Sequence, residues 1–303
     1  MTDLSEKNVV LVTLDSCRYD VASAADIPFI RSIGELRRAR THGSFTVPAH
    51  HAFFAGHLPV VLEEPLTDYY SEAACQLWRI KTGRTLDEKR RFGLLFAANN
   101  VIAGYRDLGF KVLGAGGVSQ FSEGSCLRGY FGDDFLYFGP NLDEEPLRER
   151  DPETFPLNNG ETIVRHLADH DRWFLFVNCP ETHYPYDIGN GITDEVRNAY
   201  PILRGSLNLR EGATVPPSLG PRLRDMQRKA LEHIDDQLRK LFELLPRTRD
   251  TVVIVCADHG ENFGECFAGK PRWGHMVPTQ EVMDVPLVIG QLDGYGQDRH
   301  DLN

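Results

Sequence analysis

The sequence has no long apolar run, no paired cysteines and no excess of basic residues, and each absence excludes a class of protein. No apolar stretch approaches the roughly 20 residues that a membrane-spanning helix needs. Residues 1–7 are largely polar, so the chain does not open with the apolar core of a secretory signal peptide. We therefore expect a cytoplasmic protein without a membrane partner.

The six cysteines, at positions 17, 75, 126, 179, 256 and 266, contain no CxxC pair. Cys179 and Cys256 lie within or at the end of apolar runs, where reduced and buried thiols are common. This cysteine usage indicates a reducing compartment rather than a scaffold that is held together by disulfide bonds.

Basic residues are in the minority, because 33 Lys and Arg oppose 44 Asp and Glu and the net charge is −11. A nucleic-acid surface normally needs a basic patch. The basic clusters are short, at Arg37–Arg40 and Lys89–Arg91, and we interpret them as solvated helix faces. We expect no nucleic-acid partner, although an acidic protein can still bind a small anionic substrate when a bound metal supplies positive charge.

The composition is that of an ordinary globular protein, with 41% hydrophobic and 25% charged residues. We find no internal repeat, low-complexity tract or domain boundary, and therefore expect a single domain spanning residues 1–303. Three long segments, Glu63–Arg91, Pro140–Asn159 and Gly205–Pro221, are predicted to be surface loops of the kind that border binding sites. The tail from Gln291 onward is also polar.

Five short and nearly continuous apolar runs predict strands that are covered on both faces, as in a parallel sheet. They are Asn8–Leu14, Lys111–Gly114, Trp173–Asn178, Thr251–Ala257 and Val285–Ile289. Helical patterns occur at Asn99–Leu108, Glu161–Asp169 and Pro221–Leu245, the last with apolar residues at three- and four-residue steps. Helices that alternate with buried strands indicate a layered α/β fold.

Metal-capable side chains directly follow three of these strands. Asp15 follows the first strand, His183 and Asp187 lie just after the third, and Asp258 and His259 follow the fourth. In an open α/β sheet, ligands bind beyond the carboxyl ends of the strands. Each residue alone has a structural alternative, such as a turn, a helix cap or a hydrogen-bonded loop histidine. We favour a metal site, because three unrelated turns would not be expected to bring two Asp and two His to one edge.

The segment Gly43–His51 contains a further candidate, Thr46. Its structural alternatives are an ordinary loop threonine or the cap of a helix that starts near Pro48, since proline suits the first helical turn. A threonine at a helix N-terminus is also well placed for nucleophilic attack, because the helix dipole and the free N–H groups favour an anion there. The capping and the nucleophilic interpretations are compatible.

Taken in order, these segments resemble the sulfatase-like branch of the alkaline phosphatase superfamily, and especially its small cytoplasmic members. The matching segments are Asn8–Asp20 for the first strand and metal Asp, Ile27–Ile30 for the next helix, Thr46–His50 with Phe53–Pro59 for the nucleophile motif, Ala230–Leu245 for the helix before the last metal strand, Asp258–Glu261 for the second metal motif, and Gly274–His275 with Val285–Leu287 for the closing segment. The resemblance implies a central, largely parallel sheet flanked by helices on both faces, with metals at one edge.

Two departures from the family pattern bear on the chemistry. Sulfatases have Cys or Ser at the nucleophile position, which is oxidised to formylglycine, and Arg four residues later, whereas this chain has Thr46 and His50. Sulfatases also use Asp-Asp and Asp-Asn pairs that suit calcium, whereas Ser16 and His259 stand at the second position of each pair here. An imidazole ligand favours zinc or manganese, with iron as a further option, over calcium.

The resemblance implies a role for each candidate residue. One or two divalent metals are expected, with Asp15, Thr46, Asp258 and His259 as ligands of the first, and His183, Asp187 and His275 as ligands of a second metal or as groups that bind the substrate anion. His183 and His275 are also candidates for the acid that protonates the leaving group. Arg18, His50 and Lys270 are candidates for substrate binding. The alternatives are a structural ion pair for Arg18 and a solvated loop position for Lys270.

These roles predict a metal-dependent hydrolase that cleaves a phosphate-type ester through Thr46, as a phosphatase or a phosphodiesterase. Phosphate esters are favoured because threonine cannot become formylglycine by the sulfatase route. Hydrolysis is favoured over transfer to an alcohol, because the chain lacks the membrane anchor expected of the lipid-headgroup transferases in this superfamily. Sulfate or phosphonate ester hydrolysis and phosphotransfer remain alternatives, and so does a non-catalytic metal- or anion-binding protein that kept the fold.

Overall fold

A computed structural model describes residues 4–56, 100–139, 151–189, 193–194, 196–198 and 216–294 of the chain. Several predicted features therefore lie outside the described residues. They are the loop Glu63–Arg91 with its basic cluster, the first part of Pro140–Asn159, most of Gly205–Pro221, the matched residues His57–Pro59 and the end of the polar tail.

Nine strands are described, and seven of them form one sheet in the order β2-β9-β6-β1-β5-β3-β4. Their bounds are Asn8–Leu14 (β1), Arg37–Arg40 (β2), Lys111–Gly116 (β3), Phe135–Tyr137 (β4), Trp173–Cys179 (β5), Thr251–Ala257 (β6), Asn262–Phe267 (β7), Lys270–Gly274 (β8) and Asp284–Leu292 (β9). The five strands from β6 to β4 are parallel, whereas β9 runs antiparallel to β6 and β2 antiparallel to β9. The predicted central, largely parallel sheet is thus confirmed, and β7 and β8 form a separate hairpin.

Seven α-helices are described around this sheet. They are Tyr19–Ala24 (α1), Pro28–Ile33 (α2), Thr46–Ala55 (α3), Val101–Asp107 (α4), Gly160–Arg165 (α5), Leu219–Leu244 (α6) and Gln280–Met283 (α7). The three predicted helical patterns correspond to α4, α5 and α6. Within the described residues, no helix is both long enough and apolar enough to cross a membrane.

The central strand β1 shows why the strands have continuous apolar runs. Val10 and Val12 on one face pack in a cluster that includes Leu231 and Ile234 of α6. Val9 on the opposite face packs in a second cluster, which contains side chains of α3 and α4. Because helices cover both faces of the sheet, each position along β1 is apolar or buried, and the strand ends where polar residues begin.

One prediction about the outer part of the sheet is wrong. The segment Arg37–Arg40, interpreted as a solvated helix face, forms the edge strand β2 and pairs with β9. Arg37 is exposed, whereas Ala39 packs against the core. Charged residues are well tolerated on an edge strand, where they discourage pairing with other chains. The charged residues of this segment therefore led to the prediction of a helix face where the structure has a strand.

Candidate active site

Strands β6, β1 and β5 are neighbours, and their carboxyl ends are level. Leu14, the last residue of β1, pairs in register with Cys179 of β5 and with Ala257 of β6. The backbone N–H of Asp15 then donates a hydrogen bond to the carbonyl of Cys179 (3.0 Å). The residues that follow the three strands consequently emerge side by side at one edge, as the sequence predicts.

Asp15, Asp258 and His259 form a compact group that we call the buried cluster. All three side chains are inaccessible to solvent. The Nε2 atom of His259 lies 3.7 Å from Oδ1 of Asp15 and 3.5 Å from Oδ2 of Asp258. One ligand atom of each residue lies within 4.8 Å of the others, which is a separation that one metal ion can bridge.

Local hydrogen bonds orient the buried cluster and leave one ligand atom of each residue free. Oδ1 of Asp258 accepts the backbone N–H groups of Ser16 (3.1 Å) and His259 (2.9 Å). The Ser16 hydroxyl donates to Oδ1 of Asp15 (3.2 Å), and Nδ1 of His259 donates to the carbonyl of Gly260 (2.9 Å). The remaining atoms, Oδ2 of Asp15, Oδ2 of Asp258 and Nε2 of His259, are buried and have no hydrogen-bond partner among the residues that the structure describes. Such atoms carry a desolvation cost that a bound cation would offset.

The protonation equilibria of the buried cluster agree with a metal site. Burial raises the pKa of the Asp15 carboxyl, and burial together with the charge of Asp15 raises the pKa of Asp258 well above its usual range. Burial also lowers the pKa of His259 well below its usual value, so the imidazole stays neutral. Two carboxylates and one neutral imidazole are a donor set that fits zinc, manganese or iron.

His183, Glu261 and His275 form a second group, the open cluster, in which both histidines are partly exposed. Nδ1 of His275 donates to Oε1 of Glu261 (3.0 Å), and Nδ1 of His183 donates to the carbonyl of Tyr184 (2.6 Å). Burial alone would lower the pKa of His275, but the charge and hydrogen bond of Glu261 outweigh burial and raise it. The imidazole of His275 lies 4.6 Å from that of His259 between ring centroids, so the two clusters are adjacent.

Thr46 is the first residue of α3, two residues earlier than the helix start that the sequence indicated, and it is buried. Its carbonyl accepts a hydrogen bond from Nδ1 of His50 (2.8 Å), and the same nitrogen lies 3.7 Å from Oδ2 of Asp258. The preceding loop is also tied to β6, because the Thr41 hydroxyl donates to the carbonyl of Asp258 (2.6 Å). The N-terminus of α3 is therefore anchored beside the buried cluster.

The loop before Thr46 is tied to the open cluster as well. Ser44 and Met276 exchange two hydrogen bonds, from the Met276 N–H to the Ser44 carbonyl (2.8 Å) and from the Ser44 hydroxyl to the Met276 carbonyl (3.1 Å). A Cβ atom at Gly43 would lie 2.2 Å from the backbone nitrogen of Ala49, so only glycine lets the loop cross the helix so closely. These contacts tie the loop before Thr46 to Met276, the residue that follows His275 of the open cluster.

His50 does not lie where a substrate-binding role would place it. Its ring is fully buried among phenylalanine side chains such as Phe121 and Phe176. Nε2 accepts from the Thr13 hydroxyl (3.1 Å) while Nδ1 donates to the Thr46 carbonyl. Burial lowers the pKa of His50 to about 3, so the ring is neutral. His50 therefore holds the start of α3 through its hydrogen bond to the Thr46 carbonyl. The prediction that His50 contacts the substrate is corrected, because its ring is fully buried.

Three other candidate residues are members of neither cluster. The guanidinium of Arg18 bonds to Asp20 (2.8 Å), to Glu265 (2.6 Å) and to the Glu261 carbonyl (3.0 Å), which is the pattern of the structural alternative. Lys270 is exposed at the turn of the β7–β8 hairpin, at the opposite end from His275. Asp187 is buried and accepts the N–H of Gly189 (2.9 Å), and neither cluster includes it.

Glu261 is the site residue that the sequence analysis passed over. It belongs to the Asp258–Glu261 motif, but nothing in the sequence distinguishes it from a turn residue. The hairpin of β7 and β8 supplies the reason, because it returns the chain so that His275 lies against Glu261. Glu261 directly precedes β7 and His275 directly follows β8. Had the hairpin been predicted from the sequence, this placement would have identified the pair.

Three solved structures share this fold. The C-terminal periplasmic domain of EcEptC from Escherichia coli, in complex with Zn, has a TM-score of 0.60 at 11% identity, over 95% of this chain and 74% of that chain. The phosphonate monoester hydrolase of Agrobacterium radiobacter has a TM-score of 0.53 at 16% identity, over 93% and 68%. A protein in the alkaline phosphatase superfamily from Vibrio parahaemolyticus has a TM-score of 0.51 at 14% identity, over 97% and 62%.

At these identities the likeness to solved structures shows the fold alone, and this is the fold that the resemblance to the alkaline phosphatase superfamily implies. No curated protein matches the sequence. A family model described as Sulfatase, however, matches residues 102–300. The matched region is more than half of the chain and holds the whole open cluster together with Asp258 and His259, and on this match the chain belongs to the sulfatase family.

Proposed function

We propose that this member of the sulfatase family is a metal-dependent hydrolase that cleaves phosphate-type esters with Thr46 as its nucleophile. The observation that carries the proposal is the buried cluster, in which three buried ligand atoms have no hydrogen-bond partner within the described part of the chain. Contacts through His50 and Thr41 hold the N-terminus of α3 beside these atoms. A small anionic ester as substrate and a cytoplasmic location are parts of the same proposal.

Asp15, Asp258 and His259 would hold one divalent cation, with Thr46 Oγ1 as a fourth donor. Zinc or manganese suits this mixed oxygen and nitrogen set better than calcium, and iron is the further option. A bound cation would supply a Lewis acid that neutralises charge on the transferred group and favours ionisation of a hydroxyl. The Zn present in the Escherichia coli structure of the same fold supports zinc as the first metal to test.

The position of Thr46 suits attack on an anionic ester. The first N–H groups of α3 have no partner within the helix and favour negative charge at its start. The hydrogen bonds from His50 and the loop through Ser44 fix the backbone on both sides of the nucleophile. Attack would form a bond from Thr46 Oγ1 to phosphorus as the bond to the leaving oxygen breaks, and water would then hydrolyse the phosphothreonine.

His275 is the better placed of the two acid candidates. Glu261 accepts from its Nδ1 and favours the protonated ring, so Nε2 can donate a proton to the leaving oxygen. In the second step the same nitrogen can take a proton from the attacking water. His183 has only the Tyr184 carbonyl on its Nδ1, which fixes a tautomer with Nε2 as an acceptor, and this suits the binding of a proton-bearing substrate group or of a second metal.

Thr46 is also the reason to favour phosphorus over sulfur. The formylglycine chemistry of sulfatases needs Cys or Ser at that position, whereas a threonine hydroxyl can attack phosphorus directly. A phosphoryl group carries more negative charge than a sulfuryl group, so a cationic site stabilises it more. Because a phosphonate monoester hydrolase has the same fold, phosphonate esters are the nearest alternative class of substrate. Sulfate ester hydrolysis, phosphotransfer and non-catalytic binding remain further alternatives.

An ester panel on metal-reconstituted protein tests the proposal. Aryl phosphate monoesters, phosphodiesters, phosphonates and sulfates should be assayed side by side, each with zinc, manganese, iron or calcium. We expect turnover of at least one phosphorus ester with a transition metal and little turnover with calcium. A clear preference for sulfate esters would overturn the substrate assignment. Metal binding without turnover of any ester would support the binding-protein alternative.

A further inference from the structure

Gln227 is a polar residue on the apolar side of helix α6. Leu223, one helical turn before it, and Leu231, one turn after it, are buried core residues on the same stripe. Gln227 itself is completely inaccessible to solvent. A buried amide at an apolar position is costly unless its polar atoms are bonded, so the contacts of Gln227 indicate what it does.

The side-chain amide of Gln227 connects the segments that follow β1 and β5. Its Nε2 donates to the carbonyl of Ser16 (2.8 Å) and to the carbonyl of Thr182 (3.0 Å). Its Oε1 accepts the backbone N–H of Arg18 (3.3 Å). Ser16 adjoins Asp15 of the buried cluster, and Thr182 adjoins His183 of the open cluster. One side chain therefore fixes the backbone of both clusters relative to each other.

The backbone of Ser16 shows why such an anchor is needed. Ser16 has a φ of 62°, in the left-handed region that side chains other than glycine rarely adopt. Its N–H is held by Asp258 and its carbonyl by Gln227, so the strained turn is fixed on both sides. This turn changes the direction of the chain directly after Asp15. Without the amide of Gln227, the turn can relax and the Asp15 carboxylate can move out of the buried cluster.

We propose that Gln227 is a positioning residue, which sets the separation of the buried and open clusters through the backbones of Ser16 and Thr182. The proposal rests on the proposed function, since it assigns the two clusters to one reaction. Gln227 touches neither metal nor substrate. Its loss should act on kcat and on metal affinity, because residues that orient ligands typically change either one by roughly 10- to 100-fold.

Gln227→Met tests this role, because methionine keeps the length of the side chain and loses all three hydrogen bonds. Gln237→Met is the matched control, since it makes the same substitution on the same helix at a half-buried position outside both clusters. For Gln227→Met we expect kcat to fall roughly 10- to 100-fold with KM changed less, and the zinc dissociation constant to rise. Unchanged kcat and zinc affinity in a folded Gln227→Met protein would overturn the proposal.

A second variant and a double-mutant cycle separate positioning from packing. Gln227→Glu keeps the acceptor for the Arg18 N–H and loses both donated bonds, so it should lose kcat as Gln227→Met does. Ser16→Gly removes the backbone strain together with the hydroxyl bond to Asp15, so this variant is the reference for the cycle, and Gln227→Met should cost less kcat relative to it than relative to the wild type. Strict additivity of the two substitutions would contradict the proposed anchor.

These experiments also distinguish the failure of the proposed function from the failure of this inference. Wild-type protein that cleaves no ester would remove the proposed function, and the zinc dissociation constant would still report on Gln227. Active wild-type protein with equal kcat and zinc affinity for Gln227→Met and Gln237→Met would retain the function and exclude the role of Gln227.

Discussion

The buried cluster and the open cluster lie side by side at one edge of the sheet, yet their ligand atoms are satisfied in opposite ways. In the buried cluster, each residue uses one polar atom for a local hydrogen bond and has another that is buried without a partner among the described residues. In the open cluster, His275 and Glu261 bond to each other, and both histidines are partly exposed. The two clusters contain similar residues, but the buried cluster is suited to bind a cation and the open cluster is suited to hold a proton.

The difference shows how burial assigns roles among carboxylates and imidazoles. Fully buried carboxylates have raised pKa values and need a cation to remain ionised, so the buried cluster is suited to a metal. The carboxylate of Glu261 instead favours a proton on His275, which suits an acid that works on the leaving group. We therefore expect substitutions in the two clusters to differ in effect, with loss of metal from the buried cluster and loss of proton donation from the open cluster.

Removal of Asp258 should have the largest effect. Asp258→Ala takes away one of three ligands and should lower metal content and reduce turnover to the background, because the remaining two ligands bind metal weakly. Elemental analysis of the wild type should show one to two zinc, manganese or iron ions per chain. Far-UV circular dichroism should show a retained fold, since Asp258 lies beyond the end of β6. Loss of the fold would instead indicate a structural role.

Chelation of the wild type gives the matching test of the metal itself. Activity should disappear on metal removal and return with zinc or manganese but not with calcium alone. Only calcium in the protein, or no metal after reconstitution, would contradict the assignment of the buried cluster.

Substitution of Thr46 should reduce turnover by several orders of magnitude with the metal retained. Thr46→Ala removes the covalent step, whereas Thr46→Ser keeps a hydroxyl and should retain part of the activity. Steady-state rates and metal content of both variants should be measured together. A fully active Thr46→Ala protein would exclude Thr46 as the nucleophile, and equal loss in both variants would indicate a steric role for the threonine methyl group.

Glu261→Gln should have a smaller and selective effect. Glutamine keeps a hydrogen-bond acceptor for His275 but removes the charge that favours its protonated form. Esters with poor leaving groups, such as alkyl phosphates, should slow by roughly 10- to 100-fold, because they depend on proton donation. Aryl esters with good leaving groups should change little. An equal loss for both kinds of ester, or a loss of metal, would indicate that Glu261 is a metal ligand.

Strands at the centre of the molecule were predictable from sequence because helices cover them on both sides. The bounds of β1 and β6 match the apolar runs Asn8–Leu14 and Thr251–Ala257, since polar residues begin where burial ends. Edge elements lack this pattern. Arg37–Arg40 and the hairpin of β7 and β8 have mixed or charged sequences, and their conformation depends on pairing partners that local sequence does not specify.

The same distinction applies to the candidate site. Asp15, Asp258 and His259 were predictable because they directly follow buried parallel strands, and parallel strands bring their ends together. Glu261 was not, because its contact with His275 depends on an unpredicted hairpin. His50 was placed on the substrate by analogy of position, whereas helix α3 turns its ring into the core.

The last expected effect is on folding stability in acid rather than on turnover, and it again contrasts a buried group with an open one. Burial lowers the pKa of His50 to about 3 from its usual 6.5. Below pH 6.5 the unfolded chain takes up a proton on this ring and the folded chain does not, so folding stability is lost as the pH falls from about 6.5 toward 3. The loss should approach about 1.4 kcal/mol per pH unit in this window.

Urea denaturation of metal-free protein between pH 7 and pH 4 measures this dependence. His50→Asn keeps a donor for the Thr46 carbonyl and removes the titrating ring, so its stability should fall less steeply with decreasing pH than that of the wild type, whatever its stability at pH 7. His166→Asn is the matched control, because His166 also bonds to the carbonyl four residues earlier (2.8 Å) but has an exposed ring. The change of slope in this variant measures what an exposed His→Asn substitution does by itself, and the change in His50→Asn should exceed it. Equal slopes for all three proteins would show that the His50 ring can take up a proton in the folded chain, and the region beneath Thr46 would then be open to water rather than closed.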